Sequence, residues 1–235
     1  MPKNTGLLAL FVMALLLLAY LQLSPSPQSE KIRDKEPVKE QLGTKIDNGR
    51  FDFYVLALSW SPSFCINEGR NNAQQCGKDK DFGFVVHGLW PQYDKGYPEF
   101  CTSSEPERVS NQLGQKMLDI MPSMGLIGHQ WRKHGSCTGL SQKAYFDLTR
   151  KAYELINIPT AFESVSARQS MSPKAIETAF IKENSSLRAD QIAVTCSSGL
   201  VEEVRICLTK DLNFRSCPEV DQKSCRAGNI QVPPQ

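Results

Sequence analysis

Apolar runs alternate with polar segments that contain glycine and proline along most of the chain, and this pattern predicts a mixture of strands and helices. Residues 51–60 (FDFYVLALSW) are rich in aromatic, β-branched and aliphatic side chains, which predicts a buried strand. Residues 82–87 (FGFVVH) predict a second strand, which Gly88 and Pro91 would stop. The polar residues 67–81 between these strands predict a loop.

Four segments have apolar residues at helical spacing. Residues 106–121 and the shorter segment 129–134 predict the first two helices. The strongest pattern covers residues 142–157, where Ser141 is placed to cap the helix. A fourth helix is predicted over 172–182, with proline at the first helical position, which tolerates it.

The carboxy-terminal part predicts strands at 191–196 and 200–209, joined by a Ser-Ser-Gly turn. Strands and helices do not alternate with a regular βαβ period. The pattern therefore predicts an α+β fold, in which several α-helices flank a central antiparallel β-sheet.

The amino-terminus has the pattern of an export signal. Residues 6–21 lack charged or strongly polar side chains and follow Lys3, so residues 1–23 are interpreted as a signal peptide or signal anchor. No clear Ala-x-Ala cleavage site follows, which leaves both a cleaved and a retained segment open. Residues 24–49 are polar and charged, which predicts a flexible linker before a single domain at 50–235. We expect a periplasmic or secreted protein, or a membrane-anchored one if the segment is retained.

Charge and cysteine content narrow the function. The 235 residues contain 27 Lys+Arg and 25 Asp+Glu, a formal net charge of +2, which argues against a broad basic face that grips nucleic acid. The 8 cysteines are even in number and all lie beyond the leader, which predicts disulfides in an oxidising compartment. Spacing alone does not choose among their 105 connectivities. No Cys-x-x-Cys pair is present, so the cysteines do not predict a metal site.

All 3 histidines fall in two short segments, FVVHGLWP at 84–91 and GHQWRKHGSC at 128–137. On a helix, His129, Gln130, Lys133 and His134 would share an arc of about 140°. One short helix could thus direct two imidazoles, an amide and an ammonium group towards one point.

This set of groups matches the needs of RNA cleavage by the 2′-hydroxyl. The reaction requires a base for the 2′ proton, an acid for the departing 5′-oxygen, and positive charge around the phosphorane-like transition state. Two imidazoles in opposite protonation states and a lysine supply these without a metal ion. DNA lacks the internal nucleophile.

Simpler interpretations exist for each residue taken alone. His87 could bond to the backbone of a turn, and His129 could cap its helix or remain solvated. A zinc site is disfavoured, because zinc-binding helices space two histidines four residues apart around a glutamate. Here the spacing is five, and Gln130 stands where that glutamate would be. Most aromatic residues near the strands are expected in the core, whereas Trp90 follows His87 and could stack on a base.

His-Gly-Leu-Trp-Pro at 87–91, followed by His-x-Trp-x-Lys-His-Gly-x-Cys at 129–137, resembles the two active-site signatures of the ribonuclease T2 family. That family comprises secreted or vacuolar endoribonucleases that work without metal. The resemblance extends over about residues 51–225.

The resemblance implies a role for each matching residue. His134 would be the base at the 2′-hydroxyl and His87 the acid, while Lys133 would stabilise the phosphorane and His129 would bind phosphate. Trp90 would belong to a base-binding pocket. The products would be a 2′,3′-cyclic phosphate and then a 3′-phosphate.

The resemblance also implies a disulfide pattern. The implied pairs are Cys65–Cys76, Cys101–Cys137, Cys196–Cys225 and Cys207–Cys217.

Two positions depart from the family pattern. Gln130 replaces the usual glutamate, and an amide can bond a phosphoryl oxygen but cannot take up a proton. We therefore expect retained activity with a shifted pH optimum. Gln92 occupies a position that often helps to choose the base, so the base preference does not follow from the resemblance.

These inferences predict an exported, monomeric endoribonuclease that cleaves single-stranded RNA with low base specificity, needs no metal or other cofactor and does not use DNA. Two other classes were considered. A secreted binding or cytotoxic relative without catalysis is disfavoured by the intact His87, Lys133 and His134. A metal-dependent phosphodiesterase is disfavoured because no cluster of acidic residues accompanies the histidines.

Overall fold

The computed structural model describes residues 49–235, with the exception of the side chain of Arg70. The predicted leader at 1–23 and, apart from Gly49, the predicted linker at 24–49 lie outside the described residues. No helix within 49–235 is long and apolar enough to span a membrane.

Residues 49–235 form six strands and seven α-helices. The strands are β1 (Phe53–Trp60), β2 (Phe84–Gln92), β3 (Gln169–Met171), β4 (Ile192–Ser197), β5 (Leu200–Leu208) and β6 (Ile230–Val232). The helices are α1 (Ser61–Asn67), α2 (Ala73–Cys76), α3 (Asn111–Gln115), α4 (Met124–Lys133), α5 (Gln142–Glu154), α6 (Pro173–Glu183) and α7 (Pro218–Asp221).

All six strands belong to one sheet. The order β2-β1-β5-β6-β3 runs across it, and β4 also pairs with β5. Every pairing is antiparallel except a short parallel contact between β5 and β6. The predicted α+β class with a central antiparallel sheet is therefore confirmed.

The two faces of β1 lie in different apolar clusters. Leu56, Leu58 and Trp60 pack with the large core under the helices, whereas Phe53 and Val55 face a smaller cluster that contains the Cys207–Cys217 disulfide. Because side chains alternate across a strand, a strand buried on both faces has an almost continuous apolar sequence. This explains why residues 51–60 contain so few polar side chains.

Serine caps begin the principal helices. The Ser141 side chain accepts a hydrogen bond from the backbone N–H of Ala144, and Ser172 caps α6 in the same way with Pro173 at the first position. The predicted starts of both helices are confirmed. Serine favours these positions because its hydroxyl accepts a hydrogen bond from a backbone N–H that has no partner within the helix. The hairpin between β4 and β5 is also confirmed, with Ser198 and Gly199 at positive φ as a tight turn requires.

The prediction of one helix over residues 106–121 was wrong, since only α3 forms there. The carbonyl of Pro106 accepts hydrogen bonds from the side chains of Trp131 and Gln142, so it is engaged outside any local helix. Ser110 then caps α3. Several apolar residues of this segment are buried although it is helical only at 111–115, so their spacing could not reveal the break.

Several other boundaries differ from the prediction, and the helix predicted over 142–157 ends at Glu154. The segment 67–81, predicted as a loop, contains a 3₁₀ turn and α2. The helix predicted at 129–134 begins at Met124, because Ser123 caps it, and its last residue is Lys133. Strand β2 continues through Gly88 and Pro91.

The eight cysteines form four disulfides. The pairs are Cys65–Cys76, Cys101–Cys137, Cys196–Cys225 and Cys207–Cys217. They are the pairs that the family resemblance implied.

Candidate active site

The second half of β2 and the end of α4 border a cavity of about 310 Å³, a volume within the range of small-molecule sites. All seven predicted site residues line it, together with Val55, Tyr97, Arg205, Val220 and Lys223. The seven are His87, Trp90, Gln92, His129, Gln130, Lys133 and His134.

A β-bulge places His87 in the cavity. Ala57 on β1 pairs with Gly88, but the next residue, Leu58, pairs with Val86, so His87 has no partner on β1. In a regular strand, residues three apart point to opposite faces. The extra residue at the bulge allows His87 to contact Trp90, with ring centroids 5.2 Å apart.

The continuation of β2 through Pro91 follows from its place in the sheet. Among the strands of residues 49–235, β2 pairs with β1 alone and so lies at the edge of the sheet. A proline at an edge is tolerated, because its missing N–H can point away from the neighbouring strand. The strand can therefore carry Trp90 and Gln92 into the site. The side-chain amide of Gln92 is nearly buried and donates to the carbonyl of Pro91 at 3.0 Å.

Trp90 is clamped between the two segments. Its indole N–H donates to the Gln130 side-chain oxygen at 2.8 Å, and its ring stacks on His134 with centroids 5.3 Å apart. A Cβ on Gly88 would overlap both the Gln130 amide and the Trp90 nitrogen, so this close approach requires glycine. Trp90 is half-buried, and the Arg205 guanidinium lies 5.4 Å from its centroid.

His134 is the residue that caps α4. Its backbone N–H donates to the carbonyl of Gln130, and the residue is only 5% exposed. Its Nδ1 is buried without a hydrogen-bond partner among the described residues. Burial, followed by the positive charge of Lys133, lowers the pKa of His134 to about 3, so the ring is neutral at pH 7.

Lys133 and His129 lie on the same side of α4. The Lys133 ammonium is 3.5 Å from a carboxylate oxygen of Glu99, and its backbone carbonyl accepts from the N–H of Phe100. The Cys101–Cys137 disulfide joins the loop that contains Glu99 and Phe100 to the segment that follows α4. Burial and the nearby Lys133 charge lower the pKa of His129.

Sequence reasoning missed two charged residues on β5. The carboxylate of Glu203 bonds to Nδ1 of His87 and accepts from Arg205 at 2.8 Å, although its side chain is only 5% exposed. Burial would raise the pKa of Glu203, but its two cationic partners outweigh burial and hold the pKa well below its usual range. The available signal was an acidic residue inside an apolar strand, because such a residue is buried only when it is paired.

His87 separates the main cavity from a second one of about 190 Å³. Polar side chains of Ser59, Asn67 and Gln75 contribute to the wall of this second cavity, with Phe64 beside them. One imidazole therefore borders two neighbouring cavities.

Within residues 49–235, no group of three or more His, Cys, Asp or Glu side chains is arranged to hold a metal ion.

Comparison with known proteins gives a family. The model of the Ribonuclease T2 family matches residues 51–217. A ribonuclease of Aeromonas hydrophila is 44% identical over 104 residues, which cover 44% of this chain and 46% of that protein. The chain thus matches about half the length of this relative. Ribonuclease DdI of Dictyostelium discoideum is 30% identical over 206 residues, which cover 79% of this chain and 86% of that protein.

A solved structure agrees with these sequence matches. The RNase-related protein from Calystegia sepium superposes with a TM-score of 0.61 at 25% identity, and the match covers 78% of this chain and 97% of that protein. With a family match over most of residues 49–235 and the same fold, the chain belongs to the ribonuclease T2 family.

Proposed function

We propose that this protein is an endoribonuclease that cleaves single-stranded RNA by transesterification. The 2′-oxygen forms a bond to phosphorus, and the bond from phosphorus to the 5′-oxygen of the next nucleotide breaks. The first product is a 2′,3′-cyclic phosphate, which water then opens to a 3′-phosphate. Family membership and relatives named as ribonucleases support the substrate.

His134 serves as the base in the first step. A general base must be unprotonated to accept a proton, and burial keeps the His134 ring neutral at pH 7. The 2′-hydroxyl proton passes to this ring as the new bond to phosphorus forms.

His87 serves as the acid. Its side chain is 36% exposed and pairs with the carboxylate of Glu203, so the protonated ring has a partner of opposite charge and also reaches solvent. It donates a proton to the departing 5′-oxygen. In the second step the two histidines exchange roles, which returns both to their starting states.

The positive charge needed around phosphorus comes from α4. Lys133 stabilises the phosphorane-like transition state, and His129 donates an N–H to a phosphate oxygen. Acid, base and cation are then all side chains of the chain itself, so the reaction proceeds without a metal ion.

The two cavities accommodate the nucleosides on either side of the broken bond. The cavity with Trp90 and Gln92 takes one base, and the second cavity takes the other, with His87 between them at the scissile phosphate. A site open on both sides of the phosphate suits cleavage within a chain. Side-chain amides that can both donate and accept account for low base specificity.

We also propose that the protein is monomeric and works outside the reducing cytoplasm. Four disulfides support a periplasmic or secreted location, because they persist in an oxidising compartment.

The observation that carries the proposal is the meeting of His87, Lys133 and His134 in one cavity. To test it, the wild type and the variants His87→Ala, His134→Ala and Lys133→Ala are assayed on single-stranded RNA, with and without excess chelator. We expect each histidine variant to lose about 10²- to 10⁴-fold in rate, since each removes one proton-transfer group. The wild-type rate should be the same in chelator.

Lys151→Ala is the matched control for Lys133→Ala, because Lys151 is an exposed lysine near the end of another helix, α5. It should leave the rate unchanged. Circular dichroism checks that every variant is folded. An inactive wild type would favour a binding protein, and activity abolished by chelator would overturn the metal-free mechanism.

A further inference from the structure

Glu203 is the buried carboxylate of the site, and the family motifs in this sequence do not include it. It lies on β5, the strand next to β1, and its side chain is almost fully enclosed. One oxygen bonds to Nδ1 of His87, and the other accepts from Arg205. Both oxygens therefore contact cationic side chains that line the main cavity.

An enclosed carboxylate is costly unless its charge is paired and hydrogen-bonded. Within the described part of the chain, the partners of the Glu203 carboxylate are His87 and Arg205, and together they meet this condition. The carboxylate is held in place by the backbone of the central sheet and by the Arg205 side chain. It can therefore fix the orientation of a histidine that lies on an irregular, bulged strand.

We propose that Glu203 is a positioning residue for His87, and that Arg205 holds Glu203 in place. The carboxylate accepts the Nδ1–H of His87, which leaves Nε2–H as the proton directed at the substrate. When that proton passes to the departing 5′-oxygen, Glu203 stays ionised and Nδ1 keeps its proton. This inference rests on the proposed function, since it gives His87 the role of acid.

Other charged and titratable groups line the two cavities that His87 borders, so the test must separate their effects from that of Glu203. From α4 and its cap these groups are His129, Lys133 and His134, and from β5 they are Glu202, Glu203 and Arg205. Glu68 follows α1, and Lys223 follows α7. Glu203 is the one among them that is bonded to the His87 ring. Its removal should therefore change the proton-donating step specifically.

The test uses Glu203→Gln and two substrates. One is a ribodinucleotide, and the other is a uridine 3′-phosphodiester with a 4-nitrophenol leaving group, which departs readily without a proton. We expect the variant to reduce kcat on the dinucleotide by about 10- to 100-fold, with little change in KM, because it weakens the action of a general acid. The loss on the nitrophenyl ester should be much smaller.

A double-mutant cycle adds a second readout. In a His87→Ala background, Glu203→Gln should cause no further loss, because a residue that acts through His87 has no effect without it. Equal losses on both substrates, or additive losses in the cycle, would overturn the proposal.

Glu177→Gln is the matched control. Glu177 is also a buried carboxylate, but it lies on α6 and accepts from the backbone N–H of Val194. Its replacement should leave kcat unchanged on both substrates. It therefore accounts for any general effect of removing a buried charge.

One measurement needs no variant. The chain has three histidines, so ¹⁵N spectra of the wild type can resolve each ring. We expect neutral His87 to carry its proton on Nδ1, whereas a proton on Nε2 would contradict the proposal. If the wild type cleaves RNA and His87→Ala does not, but Glu203→Gln behaves as the wild type, this inference fails and the proposed function stands. An inactive wild type would instead reject the proposed function.

Discussion

Replacing His134 by phenylalanine should remove a large part of the acid sensitivity of folding between pH 7 and pH 5. Phenylalanine keeps an aromatic ring to stack on Trp90 but cannot titrate. It also gives up no hydrogen bond at Nδ1, which has no partner within residues 49–235. The variant thus removes a proton-binding group and retains the packing.

The size of the effect follows from the pKa of His134. Its ordinary value is 6.5, and burial together with the Lys133 charge lowers it to about 3 in the folded protein. The unfolded chain therefore binds a proton below pH 6.5 that the folded protein does not bind until about pH 3. In this window, protonation of the His134 ring stabilises the unfolded chain but not the folded protein. The contribution of His134 to the free energy of unfolding is therefore complete above pH 6.5 and falls as the pH decreases towards 3. From pH 7 to pH 5 the loss is about 2 kcal/mol, at about 1.36 kcal/mol per pH unit.

The assay is urea unfolding at pH 7 and pH 5, with all disulfides oxidised and tryptophan fluorescence as the signal. The free energy of unfolding of the wild type should fall by about 2 kcal/mol more than that of His134→Phe. His129, whose pKa is also lowered, is present in both proteins and largely cancels in the difference. If both proteins lose the same stability, His134 is not held neutral by the fold and the assignment of the base is wrong.

Two further predictions concern neighbours of this ring. Gln130→Glu should preserve activity and move the acidic limb of the pH–rate profile to higher pH, because a carboxylate near His134 favours its protonated form; an unchanged kcat/KM profile would contradict this. Removing the Cys101–Cys137 disulfide with a double serine variant should lower the free energy of unfolding by about 2–4 kcal/mol in urea, since the bond closes a long loop. A variant as stable as the wild type would show that the bond contributes little.

The sequence pointed to the seven predicted residues that line the main cavity because they lie in two short segments. Three histidines in two short segments, with a lysine next to one of them, already indicate acid–base chemistry on phosphate. Helical spacing placed His129, Gln130 and Lys133 on one side of a helix, and α4 has them there. His134 reaches the same cavity from the cap rather than from within the helix.

The contacts between segments were not predictable. Nothing in the sequence marks the bulge at His87, because a bulge depends on how two distant strands pair. The hydrogen bond between Trp90 and Gln130 joins residues forty positions apart, and it gives the amide a structural partner that its chemistry alone does not suggest. Glu203 was missed, because the pairing of its carboxylate with His87 is visible only once the strands of the sheet are assembled.

The predicted helix over 106–121 shows the same limitation. Of its apolar residues, Val109, Met117 and Ile120 are buried. Side chains from α4 and α5 capture the carbonyl of Pro106, and these tertiary contacts override the local pattern. Periodicity thus predicted burial better than it predicted backbone structure.

The central claim is that a 2′-hydroxyl attacks the phosphate between His87 and His134. The most direct test is a DNA oligonucleotide that contains a single ribonucleotide, incubated with the purified protein and analysed by mass spectrometry. We expect one cut, directly after the ribonucleotide, with a 2′,3′-cyclic phosphate that later becomes a 3′-phosphate and with a free 5′-hydroxyl on the other fragment. Cleavage of the all-DNA control, or fragments that carry a 5′-phosphate, would contradict the mechanism.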